Sequence, residues 1–275
     1  MRFRPNYVGL FAVATILTAL SPSALAYQNV YEGFSLTFPT YNTGTGFSAP
    51  WTVGGFNAFA AGYTASDDSL SFSVEKGKGD DRGGKGDDDR DDKTGLKTSG
   101  GSVAGGAFSA INGATRNLTQ PLGANGTTMF VSFLIRPQGT LNQGIFNGFF
   151  GLTLNGSLGN DLFIGKPGGG AQEQYVLETR GGSGQVPSGA NTVVGRTAFL
   201  VVKAQFLPGN DEFTLYVNPA PGGSEPFGGV VKKDLDLGTV SKIGIYSSGA
   251  FAIDEIRIGS TYADVVPKTA KRDEH

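Results

Sequence analysis

The sequence contains no cysteine and a single histidine, His275, which is its last residue. Without cysteine the chain can form no disulfides, so its stability relies on its own core or on bound ions. The two shortages together exclude Cys-His and Ser-His-Asp catalysis, and also zinc held by histidines. The glycine-rich tracts 168–170 and 181–184 lack the Lys-Ser/Thr ending of phosphate-binding loops, so we expect hairpin turns there.

Long apolar runs are equally scarce, and the one that exists lies near the N-terminus. Arg2 and Arg4 precede an apolar run over residues 8–20, and the small residues Ala24 and Ala26 follow it. This order is typical of a secretory signal peptide, which we expect to span residues 1–26. The run of about 13 residues is shorter than the roughly 20 that cross a bilayer, so we expect no membrane span once the signal is removed.

The charge balance is unremarkable. Removing residues 1–26 removes two arginines and no acid, which changes the formal net charge from −2 to −4. A slightly acidic chain argues against nucleic acid as a partner. The 44 glycines and 20 phenylalanines indicate many strands joined by turns, with little helix.

Runs of strand-forming residues recur between Gly, Asn and Pro. We predict about ten strands, at 34–38, 69–74, 127–136, 148–154, 161–165, 174–178, 197–206, 212–217, 242–247 and 250–258. No amphipathic helix follows the signal. The fold class is therefore all-β, an antiparallel two-sheet β-sandwich of the jelly-roll type, as a single domain over residues 27–267 with a flexible tail at 268–275.

The last predicted strand has an unusual pattern, because strict alternation places charges on both of its faces. One face would carry Phe251, Ile253, Glu255 and Arg257, and the other Ala252, Asp254, Ile256 and Ile258.

Residues 76–97 break the strand pattern with a dense run of charges. The run holds seven aspartates, which could bind calcium, but its lysines and arginines nearly cancel them. It also lacks an Asp-x-Asp-x-Asp-Gly loop with a closing glutamate. Because it has no apolar residue before Leu96, we predict a disordered, charged insertion on the surface.

Four segments, at 31–34, 43–53, 206–219 and 253–265, follow an order and spacing similar to those of a known family. Together they resemble exported bacterial proteins with a laminin G-like, or concanavalin A-like, jelly roll, many of which end in a Pro-Glu-Pro sorting signal. The resemblance implies that the first and last strands lie side by side in one sheet. After Pro267 the sequence has neither that motif nor a hydrophobic tail, so we expect a secreted or periplasmic protein rather than an anchored one.

The same family often holds a structural calcium ion between the start and the end of the chain. This resemblance makes Glu32 and Asp254 the candidate metal ligands, with backbone carbonyls completing the oxygen shell. The alternative is that Asp254 or Glu255 pairs with Arg257 or a lysine.

Carbohydrate binding would use aromatic ring faces for stacking and amides for hydrogen bonds to hydroxyl groups. The candidate ligand-binding residues are Trp51, Tyr41, Tyr63, Tyr175, Asn155 and Asn160, with Asn147 as a further amide. For Trp51, the only tryptophan, a place in the core is the competing interpretation.

β-Glucanases on this kind of sandwich use a strand reading Glu-x-Asp-x-x-Glu, whose paired carboxylates lie about 5 Å apart. The nearest match is Glu173 to Glu178, but Tyr175 stands in the place of the aspartate. Alternation would also put the two glutamates on opposite faces. We therefore assign no catalytic residue.

The sequence favours an exported, non-catalytic module that binds glycan or another extracellular surface component. The first alternative is a structural or adhesive envelope protein, and a weaker one is a glycoside hydrolase with an altered acid pair. These functions differ in the expected lining of the open sheet face, because a binding module needs exposed aromatic rings there and a hydrolase needs two converging carboxyl groups.

Overall fold

The computed structural model describes residues 29–40, 42–54, 63–75, 93–105 and 111–269. Nearly all regular structure is β. The strands are β1 (Val30–Glu32), β2 (Thr52–Val53), β3 (Tyr63–Ser66), β4 (Ser73–Glu75), β5 (Lys93–Gly95), β6 (Ser102–Gly105), β7 (Asn112–Leu122), β8 (Thr128–Pro137), β9 (Phe150–Gly156), β10 (Asp161–Lys166), β11 (Gln174–Thr179), β12 (Ser183–Asn191), β13 (Ala198–Gln205), β14 (Asp211–Val217), β15 (Val230–Leu235), β16 (Val240–Ser247) and β17 (Phe251–Gly259). A short 3-10 turn spans Ile145–Gly148 between β8 and β9, and one short α-helix, α1 (Tyr262–Val265), follows the last strand.

Two antiparallel sheets form the predicted sandwich. The larger sheet has the order β15-β14-β13-β8-β17-β6-β3, with β1 paired to β17 as its eighth strand. The smaller sheet has the order β12-β11-β10-β9-β16-β7-β2, and β4 and β5 form a separate pair. Val30 lies opposite Ile258, so the first and last strands are neighbours as the resemblance implies. The prediction of an all-β antiparallel sandwich is confirmed.

The main core fills the space between the sheets. Both β8 and β13 are apolar on their second face as well, where Phe130, Leu134 and Phe199 belong to a smaller core cluster. Helix α1 covers part of this second face, with Tyr262 and Val265 buried in the cluster. Burial on two faces explains why these strands read as continuous apolar runs rather than as an alternation. In the residues described, no helix is long and apolar enough to span a bilayer.

The final strand departs from the predicted alternation. Its register against β8 shifts between Asp254 and Arg257, and Glu255 has a positive φ of 56°. This bulge turns the strand by one residue, so Ile256 and Ile258 join Phe251 and Ile253 in the main core. All nine residues of β17 are buried, so its charged side chains have internal partners instead of an exposed face.

The predicted strands at 34–38 and 69–74 are wrong in position. Residues 34–38 form loop and turn, the neighbouring strand ends at Glu32, and β4 begins only at Ser73.

The predicted disordered insertion at 76–97 also extends too far. Its last five residues contain strand β5 and the buried Leu96, which bridges Lys268. Lys268 and Thr269, at the start of the predicted tail, are tied to this strand by the bridge and by the bond from Thr269 N to Gly95 O. The predicted signal peptide at residues 1–26, residues 76–92 and residues 270–275 lie outside the described residues.

Candidate functional site

The outer face of the smaller sheet carries a groove. On β9 and β10, Leu152, Leu154, Leu162 and Ile164 point into the main core, so the residues between them face outwards. The register sets Glu178 opposite Phe163, Phe163 opposite Thr153, and Tyr246 opposite Gly151. The groove has a volume of about 910 Å³ and is lined by Ile111, Phe146, Phe149, Phe163, Gly168, Gly169, Gly170, Glu178, Arg180, Gly181, Gly182, Gln185 and Tyr246.

Four aromatic rings form a continuous apolar floor and wall. Phe149 stacks on Tyr246 with a centroid distance of 6.0 Å and an interplanar angle of 30°. It also contacts Phe163 at 6.3 Å and Phe146 at 6.4 Å. Phe163 is buried beneath the others, Phe149 and Tyr246 are half-buried, and 63% of Phe146 is exposed. The groove therefore offers accessible ring faces of the kind that stack on flat apolar ligand surfaces.

Glycines in neighbouring strands let two of these rings approach the backbone closely. A Cβ atom added to Gly151 would lie 2.9 Å from Cε2 of Phe163, and one added to Gly113 would lie 3.0 Å from Cε2 of Tyr246. Both distances are shorter than ordinary van der Waals contact. A side chain at either position would therefore displace the ring.

Arg180 supplies the polar side of the groove. Its Nε lies 2.7 Å from Oδ2 of Asp161, and its NH1 group donates to the Tyr246 hydroxyl at 3.3 Å. The guanidinium also lies 5.3 Å from the centroid of the Tyr246 ring. This cation–π contact and ion pair hold the ring in one orientation, with polar donors at its edge.

Glu178 is the groove's carboxyl group. It is almost fully buried and accepts a hydrogen bond of 2.7 Å from Nε2 of Gln185. Burial raises the pKa of Glu178, while the Gln185 bond and the charge of Lys232 oppose the shift. Gln185 also donates to Gly169 O and accepts from Ala171 N, so the same amide attaches the glycine-rich wall to the sheet.

The turn that packs against Gly168 contains two consecutive non-glycine residues in the left-handed conformation. Phe146 has a φ of 49° and Asn147 a φ of 53°. Each such residue costs roughly 1–2 kcal/mol, and strain of this kind clusters at functional sites. Asn147 Nδ2 donates to Gly168 O at 2.8 Å, which ties this turn to the glycine-rich wall.

Lys166 supports this strained turn from below. Its side chain is fully buried, and its ammonium donates to Asn147 O at 2.9 Å and to Pro167 O at 3.0 Å. Burial lowers the pKa of Lys166 to about 8, although the charge of Glu173 opposes this. The ammonium therefore serves as an internal clamp for the wall that presents Phe146.

We expect Lys166→Met to loosen that wall. Two carbonyl groups lose their charged donor, so the free energy of unfolding should fall by about 1–2 kcal/mol. Amide hydrogen exchange at residues 145–148 should speed up more than exchange in β9 and β10. Unchanged exchange in the turn would show that Lys166 does not hold it.

The structure places the sequence-predicted aromatic residues away from the groove. Trp51 is buried, stacks on Phe34 at 5.8 Å, and donates to Glu32 Oε2 at 2.9 Å. Tyr175 is buried on the core side of β11, and Tyr63 packs at the sheet edge with its hydroxyl bonded to Ile245 O. These rings lack an open face for a ligand on the groove side because they pack between the sheets. Tyr41 lies outside the described residues.

The predicted amides are divided. Asn155 lies on the groove-bearing face, opposite Asp161 in the register, but outside the lining. Asn160 is exposed in the following turn, where its Nδ2 donates to Asp236 O at 3.1 Å. Asn147 also lies outside the lining, but its bond to Gly168 supports a residue that lines the groove.

Glu32 and Asp254, the predicted calcium ligands, lie in different surroundings. Glu32 accepts from Phe34 N, Trp51 and Arg116, in the main core. Asp254 accepts from the Ser69 hydroxyl and Leu70 N, beside the smaller core cluster. Across the described residues, no group of three or more His, Asp or Glu side chains converges. A calcium ion stays a prediction.

Of the candidate hydrolase pair, only Glu178 lies in the groove. Glu173 is exposed and precedes β11. Asp161 shares the face of Glu178, but its carboxylate is paired with Arg180.

Sequence reasoning missed Phe149, Phe163, Arg180 and Tyr246. The available signal was alternation, because Phe163 and Tyr246 each neighbour core residues within a predicted strand. Which outward residues meet depends on strand order and register, which the sequence alone does not give.

No family model matches this chain, and no curated protein sequence matches it. Solved structures are similar to it in fold. An endo-1,3-beta-glucanase from Streptomyces sioyaensis aligns with 75% of this chain and 99% of its own, at 9% identity and a TM-score of 0.41. Lectin UEA-II complexed with galactose aligns with 71% of this chain and 100% of its own, at 12% identity and a TM-score of 0.38.

A bifunctional GH43-CE protein of Bacteroides eggerthii aligns with 54% of this chain, at 11% identity and a TM-score of 0.35. The aligned part is 22% of that protein's length. At these identities and scores the likeness concerns the fold alone.

Proposed function

We propose that this chain is an exported, non-catalytic binding module whose groove binds a glycan. The observation that carries the proposal is the stacked pair of Phe149 and Tyr246, half-buried and oriented by Arg180. Pyranose rings have apolar C–H faces and hydroxyl-bearing edges. An aromatic floor edged by Arg180, Glu178 and Gln185 matches both features.

The shape of the groove supports a ligand larger than one sugar. A volume of about 910 Å³ falls at the upper end of the range for small-molecule sites. The glycine tracts 168–170 and 181–182 line it without side chains, which leaves room for backbone contacts along the walls. An aromatic lining also favours ligand binding over the structural or adhesive role, for which small or aliphatic residues are expected.

A broad glycan array tests the proposal with the chain from residue 27, in calcium and again in a chelator. We expect saturable binding, and we expect Tyr246→Ala to weaken it about tenfold or more, or about 1.4 kcal/mol, because the stacking surface is lost. Tyr246→Phe keeps the ring and should retain most of the affinity. Sensitivity to the chelator would support the predicted calcium ion.

Phe227→Ala is the matched control, since Phe227 is fully exposed and lies outside the groove lining. If Tyr246→Ala and Phe227→Ala lowered the affinity for glycan equally, the result would contradict a groove site. A folded sample that binds no glycan would contradict it as well. Bound oligosaccharides recovered with new reducing ends would contradict the non-catalytic part and direct attention to Glu178.

A further inference from the structure

A second, smaller cavity lies at the opposite face of β11. It has a volume of about 350 Å³ and is lined by Tyr175, Ala190, Asn191, Val193, Arg196, Thr197, Ala198 and Asn218. Tyr175 belongs to the main core, whereas Glu178 of the same strand lines the groove. The two sites are therefore on different sides of the smaller sheet. The cavity lies where β11 begins, β12 ends and the chain crosses to β13 in the other sheet.

The hydroxyl group of Tyr175 is an unusual feature of this cavity. The residue is 2% exposed, and its buried hydroxyl has no hydrogen-bond partner among the described residues. Leaving a buried polar group unsatisfied is unfavourable, so such groups in folded proteins call for an explanation. Burial raises the pKa of Tyr175, which keeps the hydroxyl protonated as a donor.

The remaining polar groups of the lining favour a negatively charged ligand. Arg196 and Asn191 are exposed at the cavity, and the lining contains no carboxylate. Asn218 accepts from Phe199 N at 2.9 Å through its Oδ1, which leaves its Nδ2 group as a donor. A guanidinium with amide and hydroxyl donors is the set that proteins use to hold a carboxylate.

The other side of the lining is apolar. Ala190, Val193, Ala198 and the ring of Tyr175 supply it. An inorganic anion would leave this surface without contacts, whereas a small aliphatic or aromatic acid would cover it.

We propose that this cavity is a second binding site, independent of the glycan groove, for a small organic acid with an apolar body. The carboxylate of the ligand pairs with Arg196 and accepts a hydrogen bond from the Tyr175 hydroxyl, which otherwise has no partner. The apolar body of the ligand packs on Val193, Ala190 and Ala198.

Isothermal titration of the purified protein with acetate, 3-methylbutanoate and benzoate tests this site. Each acid is paired with its neutral amide, which has the same body without the charge. We expect saturable binding of at least one of the larger acids, with acetate and the amides weaker. Arg196→Gln should weaken that acid about tenfold and leave its amide nearly unchanged.

Tyr175→Phe distinguishes a ligand-binding hydroxyl from a structural one. This substitution should weaken the binding of the acid. It should leave the thermal midpoint of the free protein unchanged or raised, because an unsatisfied buried donor is removed. Tyr246→Ala, in the groove, should not affect the acid. The proposal is overturned if none of the three acids binds, if Arg196→Gln has no effect, or if Tyr175→Phe lowers the midpoint by several degrees.

Discussion

Arg116→Met is expected to lower the free energy of unfolding by about 3–5 kcal/mol, because it leaves the carboxylate of Glu32 buried without its cation. Both side chains are 1% exposed and form an ion pair in the main core. Arg116 also donates to Ala49 O at 2.9 Å and to Thr43 O at 2.7 Å. The loss is a large part of the 5–15 kcal/mol that stabilises a typical domain, and urea denaturation would measure it.

A double variant separates the charge effect from the loss of packing. Glu32→Gln in the Arg116→Met background removes the unpaired charge, so part of the lost stability should return. Lys233→Met is the matched control, because Lys233 pairs with Glu212 at 2.8 Å but is 67% exposed. That change should cost less than about 0.5 kcal/mol. If Arg116→Met lowered the free energy of unfolding by no more than Lys233→Met does, the core would not depend on this ion pair.

The Arg116 network also explains what holds the N-terminal part of the sandwich together. Arg116 contacts residues 42–49, and its guanidinium lies 4.1 Å from the centroid of Phe47. Glu32 in turn receives the Trp51 indole and the Phe34 amide. One buried cation on β7 therefore organises a segment with little regular structure of its own. A calcium ion on Glu32 would have to compete with these three donors.

The strands that sequence reasoning located are those with enough apolar residues to identify themselves. Segments 127–136, 197–206 and 212–217 overlap β8, β13 and β14 closely, because burial selects their side chains. The prediction missed β2, β3, β5, β6, β7, β12 and β15. These strands are short, or rich in small or polar residues, so their sequences lack a long apolar run and only their pairing with neighbouring strands defines them.

Candidate functional residues were harder to predict, for a related reason. Tyr175 and Tyr246 both occur within strands that the sequence predicts, yet one ring faces the main core and the other the groove. Whether such a ring is buried or accessible depends on which side of its sheet the other sheet covers, and tertiary packing decides this. The bulge at Glu255 did leave a signal in the sequence, since the apolar core positions change from 251 and 253 to 256 and 258 across it, but strict alternation was assumed instead.

Asp254 is expected to make the protein less stable as the pH rises from about 5 to 7. Burial raises the pKa of Asp254 to about 8, with the charge of Glu255 adding to the shift and hydrogen bonds from Ser69 and Leu70 opposing it. An unfolded aspartate releases its proton near pH 4, so the folded state binds more protons throughout this interval. The free energy of unfolding should therefore fall by about 2–3 kcal/mol over these two pH units.

The slope against pH in Asp254→Asn isolates this contribution. Asparagine does not titrate, so the variant should lose most of the decline, although the raised pKa of Glu255 leaves a residual slope of the same sign. The slopes are compared rather than the absolute stabilities of parent and variant. Both carboxylate oxygens of Asp254 accept hydrogen bonds from backbone amides, those of Leu70 and Glu255, and the NH₂ group of an asparagine would face one of these donors. Glu212→Gln, at a half-exposed surface pair, should keep the parental slope. If the free energy of unfolding fell equally with pH in the parent and in Asp254→Asn, Asp254 would already be ionised in the folded protein, held in that state by its hydrogen-bond donors.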